Sequence, residues 1–212
     1  EGIILYDAIA RVRPDFKVLA NFILSYIPNL KNVFIPVNPF TDKPEWGSSI
    51  GGIKEAMAHI SKGCGLGVFP AGEVSRYNGN KYPEDIDWSV TIAKLAKKAK
   101  VPVIPFYFDG TNSKTFYRLA KMHSMLGTAM LLRELYNKRN QHFTIKIGKP
   151  ILPSDFEVYD DFKKMSAYMR ARSYALEANI HNEETKRFDT KLEPLPPPRK
   201  SNMLLNELDN IR

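Results

Sequence analysis

The chain has 212 residues, of which 43% are hydrophobic and 25% charged, a balance that suits one folded domain and excludes an intrinsically disordered chain. No stretch approaches the about 20 apolar residues that a membrane-spanning helix needs, and the one cysteine, Cys64, excludes an intramolecular disulfide and favours a reducing, cytoplasmic setting. The net charge of +8 favours anionic partners such as a membrane surface, nucleic acid or coenzyme A.

Apolar residues recur at helical spacing or in short β-branched runs along most of the chain, separated by turns that contain Pro or Gly. In chain order the pattern predicts a helix at 2–13, a strand at 16–21, a short helix or turn at 22–30, a strand at 32–37, a helix at 47–62, a strand at 65–70, a helix at 87–100 with Trp88 on its apolar face, a strand at 101–108, a helix at 114–138, a strand at 142–151 and a helix at 155–182. Strands separated by helices indicate an α/β fold, layered, with a mostly parallel or mixed central sheet flanked by helices.

The composition changes near residue 192. The segment "LEPLPPPRK" (192–200) is rich in proline and cannot continue a helix. The residues after it, "NMLLNELDNIR" (202–212), have the pattern of a helix that is beginning. We therefore predict one domain at 1–192, followed at 193–212 by a proline-rich linker and the start of a further element. This segment is either a tail that docks on the domain or a linker to a second domain.

The segment "GLGVFPAGEVSR" (65–76) is an apolar strand that ends in a small, polar, charged turn, which is a common way to build a site. A phosphate-binding loop would need a lysine followed by Ser or Thr, and a dinucleotide fingerprint would place its glycines after the strand. Neither condition is met, and Ser75 lacks the flanking glycines of a nucleophile elbow. The four histidines are scattered, so the sequence predicts no metal site.

Three segments, taken together, resemble the lysophospholipid acyltransferase family. "VFPAGEVS" (68–75) is similar to its third conserved block, which usually reads F-P-E-G-T-R-S. "NVFIPVNP" (32–39) is similar to the second block and "VPVIPF" (101–106) to the fourth, in the family's order. With "RPDFKVLAN" (13–21), they look most like the hemolysin-like branch, some members of which carry an N-acyltransferase domain after the acyltransferase domain.

The resemblance implies a glycerolipid acyltransferase-like fold and an enzyme. In the family's first block, a histidine precedes an acid by a few residues. The acid orients the histidine, which removes a proton from the acceptor hydroxyl, and the oxygen attacks an acyl thioester of coenzyme A or acyl carrier protein, used as co-substrate with no bound cofactor. The resemblance assigns Glu1 to the acidic position and puts the histidine upstream of it. An acid at a helix N-terminus is also favourable for its charge alone.

The departures from the family's blocks concern the acceptor. Ala71, Glu73 and Val74 stand at the family's Glu, Thr and Arg positions of the third block. Asn38 stands at the usual arginine of the second block. The two missing arginines are the family's expected ligands for the acceptor phosphate. Their absence favours a zwitterionic or amino-acid-based lyso-lipid over lysophosphatidate.

We predict a pocket at the carboxyl ends of the strands, with a substrate-binding set of Asn38, Pro70, Gly72, Glu73, Ser75 and Arg76. Gly72 is expected to adopt a positive φ or to allow a close approach. Glu73 either binds an ammonium or hydroxyl group of the acceptor or serves as a turn acid. Arg76 either replaces the missing arginine or is a surface residue.

These residues lead to one hypothesis and one rival. The hypothesis is an O-acyltransferase of membrane lipid synthesis, peripheral on the cytoplasmic face of the cell membrane, with "MLGTAMLL" (125–132) as either an interfacial or a buried helix. The rival is a non-catalytic basic domain that binds anionic membrane or nucleic acid. Nucleic-acid binding calls for clustered Lys and Arg with interleaved aromatics, and the basic residues of this chain are dispersed, so no nucleic-acid partner is expected.

Overall fold

The computed structural model describes residues 2–21, 32–37, 48–77, 83–122, 130–131, 133–134, 136–138 and 143–177. Within these ranges the elements, in chain order, are α1 (Gly2–Ala10), β1 (Lys17–Asn21), β2 (Phe34–Val37), α2 (Ser48–Ser61), β3 (Leu66–Val68), α3 (Val90–Ala99), β4 (Phe106–Asp109), α4 (Lys114–Met122), β5 (Thr144–Ile147), α5 (Pro153–Phe156) and α6 (Phe162–Tyr174). The described residues from 130 to 137 are also helical. The order confirms the α/β class.

The strands form two sheets. In the first, β1 lies between β2 and β3 and pairs with both in parallel, with Val18 opposite Phe34 and Gly67. In the second, β4 and β5 are antiparallel, with Phe106 opposite Ile147. Among the described residues no ladder joins β3 to β4, so the sheet is mixed, as predicted, but split along this line.

The first sheet is buried on both faces because residues that alternate along β1 pack against different helices. Val18 belongs to a cluster with Leu5 of α1, Phe16 and Phe34, against which Phe106 of β4 also packs. On the other face, β1, β2, α2 and α3 contribute a second cluster, formed by Leu19, Ile35, Ala56 and Leu95. A third cluster joins α3 to α5 and α6. The result is a layered fold with α1 and β4 on one side of the sheet and α2 and α3 on the other.

Two predicted elements were wrong in extent for reasons that involve proline and helix capping. The strand predicted at 101–108 begins only at Phe106, because Pro102 and Pro105 have no N–H group for a ladder. The helix predicted at 155–182 is interrupted between α5 and α6. Asp161 starts α6 there as its N-cap, accepting a hydrogen bond from the backbone N–H of Lys163 at 2.8 Å.

Trp88 was also misplaced by the prediction. It precedes α3 and does not lie on its face, because Ser89 is the N-cap of this helix and accepts a hydrogen bond from the N–H of Thr91 at 3.2 Å. Other predictions lie outside the described residues and stay predictions: the roles of Glu1 and Asn38, the turn at 22–30, nearly all of 125–132 and the domain boundary near 192.

α2 approaches β2 closely at Gly52, and this close contact leads to a testable prediction. A Cβ at Gly52 would lie 2.3 Å from the carbonyl oxygen of Pro36 and 2.7 Å from Cγ1 of Val37, whereas a Cβ at the neighbouring Gly51 would meet nothing within 4 Å. We expect Gly52→Ala to lower the free energy of unfolding by about 3 kcal/mol. Gly51→Ala, its matched control, should raise it by about 0.5–1 kcal/mol through helix propensity. Urea denaturation measures both, and equal effects would contradict this packing.

The loop before β1 is tied to the start of β3 by Asp15. Arg13 donates two hydrogen bonds to this carboxylate, at 2.9 and 2.7 Å, and the N–H of Gly65 donates a third at 2.9 Å. The hydrogen bonds from Arg13 and then from Gly65 hold the pKa of Asp15 well below its usual range. Asp15 therefore stabilises the fold above its unfolded-state pKa of about 3.9, and this stabilisation is lost as the pH falls through the lower folded-state pKa.

We expect the thermal midpoint of the wild type to fall as the pH is lowered below about 4, and to fall less steeply in Asp15→Asn, which has already lost the ionised carboxylate. Asp160→Asn, which removes an exposed carboxylate elsewhere, should keep the wild-type slope. Differential scanning calorimetry across this pH range measures the slopes. An unchanged slope in Asp15→Asn would contradict the assignment.

Candidate active site

The polar turn, residues 70–77, follows β3 and is fixed by backbone hydrogen bonds. Gly72 has φ +72°, as predicted, and its N–H donates to the carbonyl of Phe69 at 3.0 Å. The carbonyl of Pro70 accepts from the N–H of Ser89 at 2.9 Å. Arg76 exchanges two backbone hydrogen bonds of 2.9 Å with Glu84. The turn is therefore joined at both ends to residues 84–89.

Asp85 organises the side chains behind the turn. One of its carboxylate oxygens accepts a hydrogen bond from Ser75 Oγ at 2.5 Å, and the other accepts from Trp88 Nε1 at 3.0 Å. Its N–H donates to the hydroxyl of Tyr174 at 3.0 Å, and its carbonyl accepts from Arg170 at 3.1 Å. Asp85 thereby connects the turn to α6. Sequence reasoning missed it, because an acid in a polar loop carries no local sign of such a role.

The charged side chains of the turn are paired with one another. Glu73 and Arg76 form an ion pair of 2.5 Å, and their side chains are 34% and 41% exposed. A second arginine, Arg170, lies 3.9 Å from Glu84, and both of these side chains are largely buried. With Asp85, the group carries three carboxylates and two guanidinium groups. A ligand that binds Arg76 therefore competes with Glu73 for it.

Two half-buried tyrosines stand beside this group. Burial, and then the nearby carboxylate of Glu177, raises the pKa of Tyr107 far above its usual range. Burial, and then the charge of Asp85, does the same to the pKa of Tyr174. Both hydroxyls are therefore protonated at neutral pH and act as uncharged hydrogen-bonding groups.

A cavity of about 790 Å³, which we call the slot, runs from the polar turn along the line where β3 and β4 do not pair. Glu73, Ser75, Asp85, Tyr107 and Tyr174 line its polar end. Its walls are mostly apolar and come from α1, α3, β3 and the segment before β4: among them are Leu5, Ile9, Ile92, Leu95, Gly67 and Val103.

The orientation of α1 distinguishes the two ends of the slot. A Cβ at Gly2 would lie 3.6 Å from Cε2 of Phe69, so α1 begins next to the polar turn. Leu5 and Ile9 lie on one side of α1 at helical spacing, and both line the slot, as does Val12 in the turn that follows the helix. From Gly2 to Ala10, α1 spans roughly 12 Å of helical rise. The slot is therefore a long channel with a polar end at the turn and an apolar end near Val12.

The structure brings most of the predicted substrate-binding residues together. Pro70, Glu73 and Ser75 line the slot, and Arg76 joins them through Glu73. Gly72 supplies the bend between them. Glu1 and Asn38 lie outside the described residues.

The described residues give no sign of metal chemistry or of a membrane span. They contain no group of three or more His, Cys, Asp or Glu side chains that could hold a metal ion. His59, the histidine within the described ranges, lies with Nε2 3.1 Å from the carbonyl oxygen of Gly65 and does not line the slot. In the same ranges, no helix has the length and apolar character needed to cross a bilayer.

Comparison with known proteins gives two relatives. The chain is 30% identical over 144 residues to a protein of Phocaeicola vulgatus and 32% identical over 166 residues to one of Bacteroides thetaiotaomicron, both named Lyso-glycine lipid O-acyltransferase. The alignments cover 65% and 76% of this chain, but only 49% and 59% of the respective relatives. No solved structure matches.

A family model described as Acyltransferase matches residues 1–183, which include every element described above. The match spans the polar turn, Asp85 and the whole slot. The chain therefore belongs to the acyltransferase family.

Proposed function

We propose that this protein transfers a fatty acyl group from a thioester donor, acyl-CoA or acyl-ACP, to the hydroxyl of a lyso-lipid. The observation that carries the proposal is the slot, which has hydrogen-bonding and charged groups at one end and an apolar wall along the rest of its length. An acyl chain matches this division, because its methylene groups leave water favourably while its thioester end needs polar partners.

The reaction also needs a base for the acceptor hydroxyl. Both oxygens of Asp85 already accept hydrogen bonds and Glu73 is paired with Arg76, so neither is the base we propose. Following the family resemblance, we assign this role to a histidine upstream of Glu1, with Glu1 as the acid that orients it. The position of Gly2 beside Phe69 supports this assignment, because it puts the start of α1 at the polar end of the slot.

We propose further that the acceptor is a lyso-lipid with an amino-acid head group. The names of the two relatives favour glycine. Glycine offers a carboxylate, an N–H group or both, depending on where the lipid is attached, and the Glu73–Arg76 pair offers a partner for each. A phosphate dianion has no N–H donor for Glu73 and brings more negative charge than one carboxylate to a group that already holds three carboxylates. This charge balance disfavours lysophosphatidate.

The enzyme would work at a membrane surface, because lyso-lipids reside in bilayers. We propose a peripheral position on the cytoplasmic face, where the acyl thioesters of metabolism are made available by coenzyme A and acyl carrier protein.

The test is an acyl-transfer assay on the full-length protein. It would be incubated with a labelled acyl thioester and each of several lyso-lipids, and both thiol release and the acylated product would be measured. We expect thiol release that depends on the lyso-lipid and yields a product carrying one more acyl chain. Membrane binding without turnover of any acceptor would favour the rival, a non-catalytic basic domain.

A further inference from the structure

Arg170 is a largely buried arginine of α6 that reaches the segment behind the polar turn. Its Nη2 donates to the carbonyl of Asp85 at 3.1 Å and lies 3.9 Å from the carboxylate of Glu84. Its guanidinium lies over the ring of Tyr174, one turn later on the same helix, 4.6 Å from the ring centroid. Because the hydroxyl of Tyr174 accepts from the N–H of Asp85, α6 holds both the N–H and the carbonyl of Asp85.

Residues 84 and 85 pass this constraint on to the polar turn. Glu84 exchanges two backbone hydrogen bonds of 2.9 Å with Arg76. The carboxylate of Asp85 accepts a hydrogen bond from Ser75. Arg170 itself does not line the slot. An effect of Arg170 on a bound ligand is therefore transmitted through the segment 84–85.

Stability alone does not account for an arginine at this position. A buried ion pair adds little net stability, because the loss of hydration offsets the attraction, and an apolar side chain of similar size often serves the fold as well. The Nε–H group of Arg170 is buried and has no hydrogen-bond partner among the described residues, which adds a further cost. What an arginine supplies here is a planar cation that stacks on a ring while it donates to a carbonyl and faces a carboxylate.

We propose that Arg170 is a positioning residue for the lyso-lipid acceptor. It fixes the segment 84–85 against α6, and the backbone pairing of Glu84 then sets where Arg76 presents its guanidinium to the head group. Binding of the head group by Arg76 is the one element taken from the proposed function. The acceptor site thereby extends beyond the polar turn to α6, which is distant from the turn in the chain.

The experiment is isothermal titration calorimetry of the full chain with N-lauroylglycine, below its critical micelle concentration. This ligand has a carboxylate, an amide N–H and a tail but no hydroxyl, so it offers the head group and cannot be acylated. We expect Arg170→Gln to raise the Kd about tenfold, the effect of one weakened charge-assisted hydrogen bond. Adding Arg170→Gln to Arg76→Gln should raise the Kd no further than Arg76→Gln alone, because Arg170 acts through Arg76.

Arg172→Gln is the matched control on the same helix. Arg172 lies over the ring of Tyr168, 5.9 Å from its centroid, and donates to the carbonyl of Lys149 at 3.3 Å, so it resembles Arg170 in its kinds of contact. None of its hydrogen bonds within the described residues involves the segment 84–85, and it does not line the slot. Arg172→Gln should therefore bind N-lauroylglycine as the wild type does.

Arg170→Lys separates loss of position from loss of the fold, because it keeps the positive charge beside Glu84 but not the planar guanidinium. It should keep the circular dichroism of the wild type and still weaken binding severalfold. Equal Kd values for the Arg170 variants and Arg172→Gln would overturn the proposal, as would additive effects of Arg170→Gln and Arg76→Gln or a wild type that does not bind N-lauroylglycine. Because this readout needs no turnover, its failure is distinguishable from failure of the proposed function in the acyl-transfer assay.

Discussion

Asp85→Ala is expected to lower acyl transfer about a hundredfold, the effect of misplacing reacting groups by roughly an ångström. The carboxylate holds Ser75 with one oxygen and Trp88 with the other, so its removal frees the polar turn from the wall of the slot. The hydrogen bonds that Asp85 donates to Tyr174 and accepts from Arg170 involve only its backbone and survive the substitution. The contact with α6 should therefore remain. The free energy of unfolding should fall by about 1–3 kcal/mol, because Ser75 and Trp88 lose their hydrogen-bond acceptor.

Two variants distinguish a positioning role from a merely structural one. Asp85→Asn still accepts a hydrogen bond, so it should recover part of the lost kcat. Asp87→Ala, two residues along the chain at an exposed position, should keep wild-type kinetics. If Asp85→Ala lowered the thermal midpoint while leaving kcat and KM unchanged, Asp85 would be a structural residue only.

Arg76→Gln is expected to raise the KM for an amino-acid lyso-lipid about tenfold to a hundredfold, the range of one charge-assisted hydrogen bond to a carboxylate. The KM for the acyl thioester should not change, because Arg76 lies at the turn and does not line the slot. Glu73→Gln should raise the KM for acceptors that carry an N–H donor. Exchanging the two charges, by Glu73→Arg together with Arg76→Glu, should abolish recognition of the carboxylate of the acceptor head group.

The exposed pair of Asp7 on α1 and Arg11 just after it provides the control, since its shortest contact is 2.9 Å and it lies outside the slot. Arg11→Gln breaks this pair and should leave the KM for both substrates unchanged. An equal rise in the KM for donor and acceptor in Arg76→Gln would contradict the head-group assignment, because it would indicate a general distortion of the turn.

The polar turn could be predicted from local backbone preferences. The slot could not, because it depends on which distant strands pair. Pro70 and Gly72 have backbone preferences that can be read from the sequence, and the bend at Gly72 formed as expected. The slot depends on the failure of β3 and β4 to pair, which requires knowing that Val103, between Pro102 and Pro105, forms an isolated bridge with Ile151 beyond the end of β5. No periodicity carries that information.

The same distinction applies to single residues. Glu73, Ser75 and Arg76 can be predicted as candidate site residues because they follow a strand directly, as site residues often do. Asp85 is ten residues beyond Ser75, and its role appears only when the loop folds back and α6 packs against it. Asp161 has the residue type of a helix N-cap, but the apolar pattern on both sides of it favours one continuous helix.

A competition between two acceptors tests the central claim most directly. The full-length protein would receive one acyl thioester together with equal amounts of an N-linked glycine lyso-lipid and lysophosphatidate, and mass spectrometry would quantify both products. We predict that the acylated glycine lipid dominates, because Arg76 and Glu73 match its head group and the carboxylates of the turn repel a phosphate. Acylation of lysophosphatidate alone, or release of thiol with neither lipid acylated, would contradict the account.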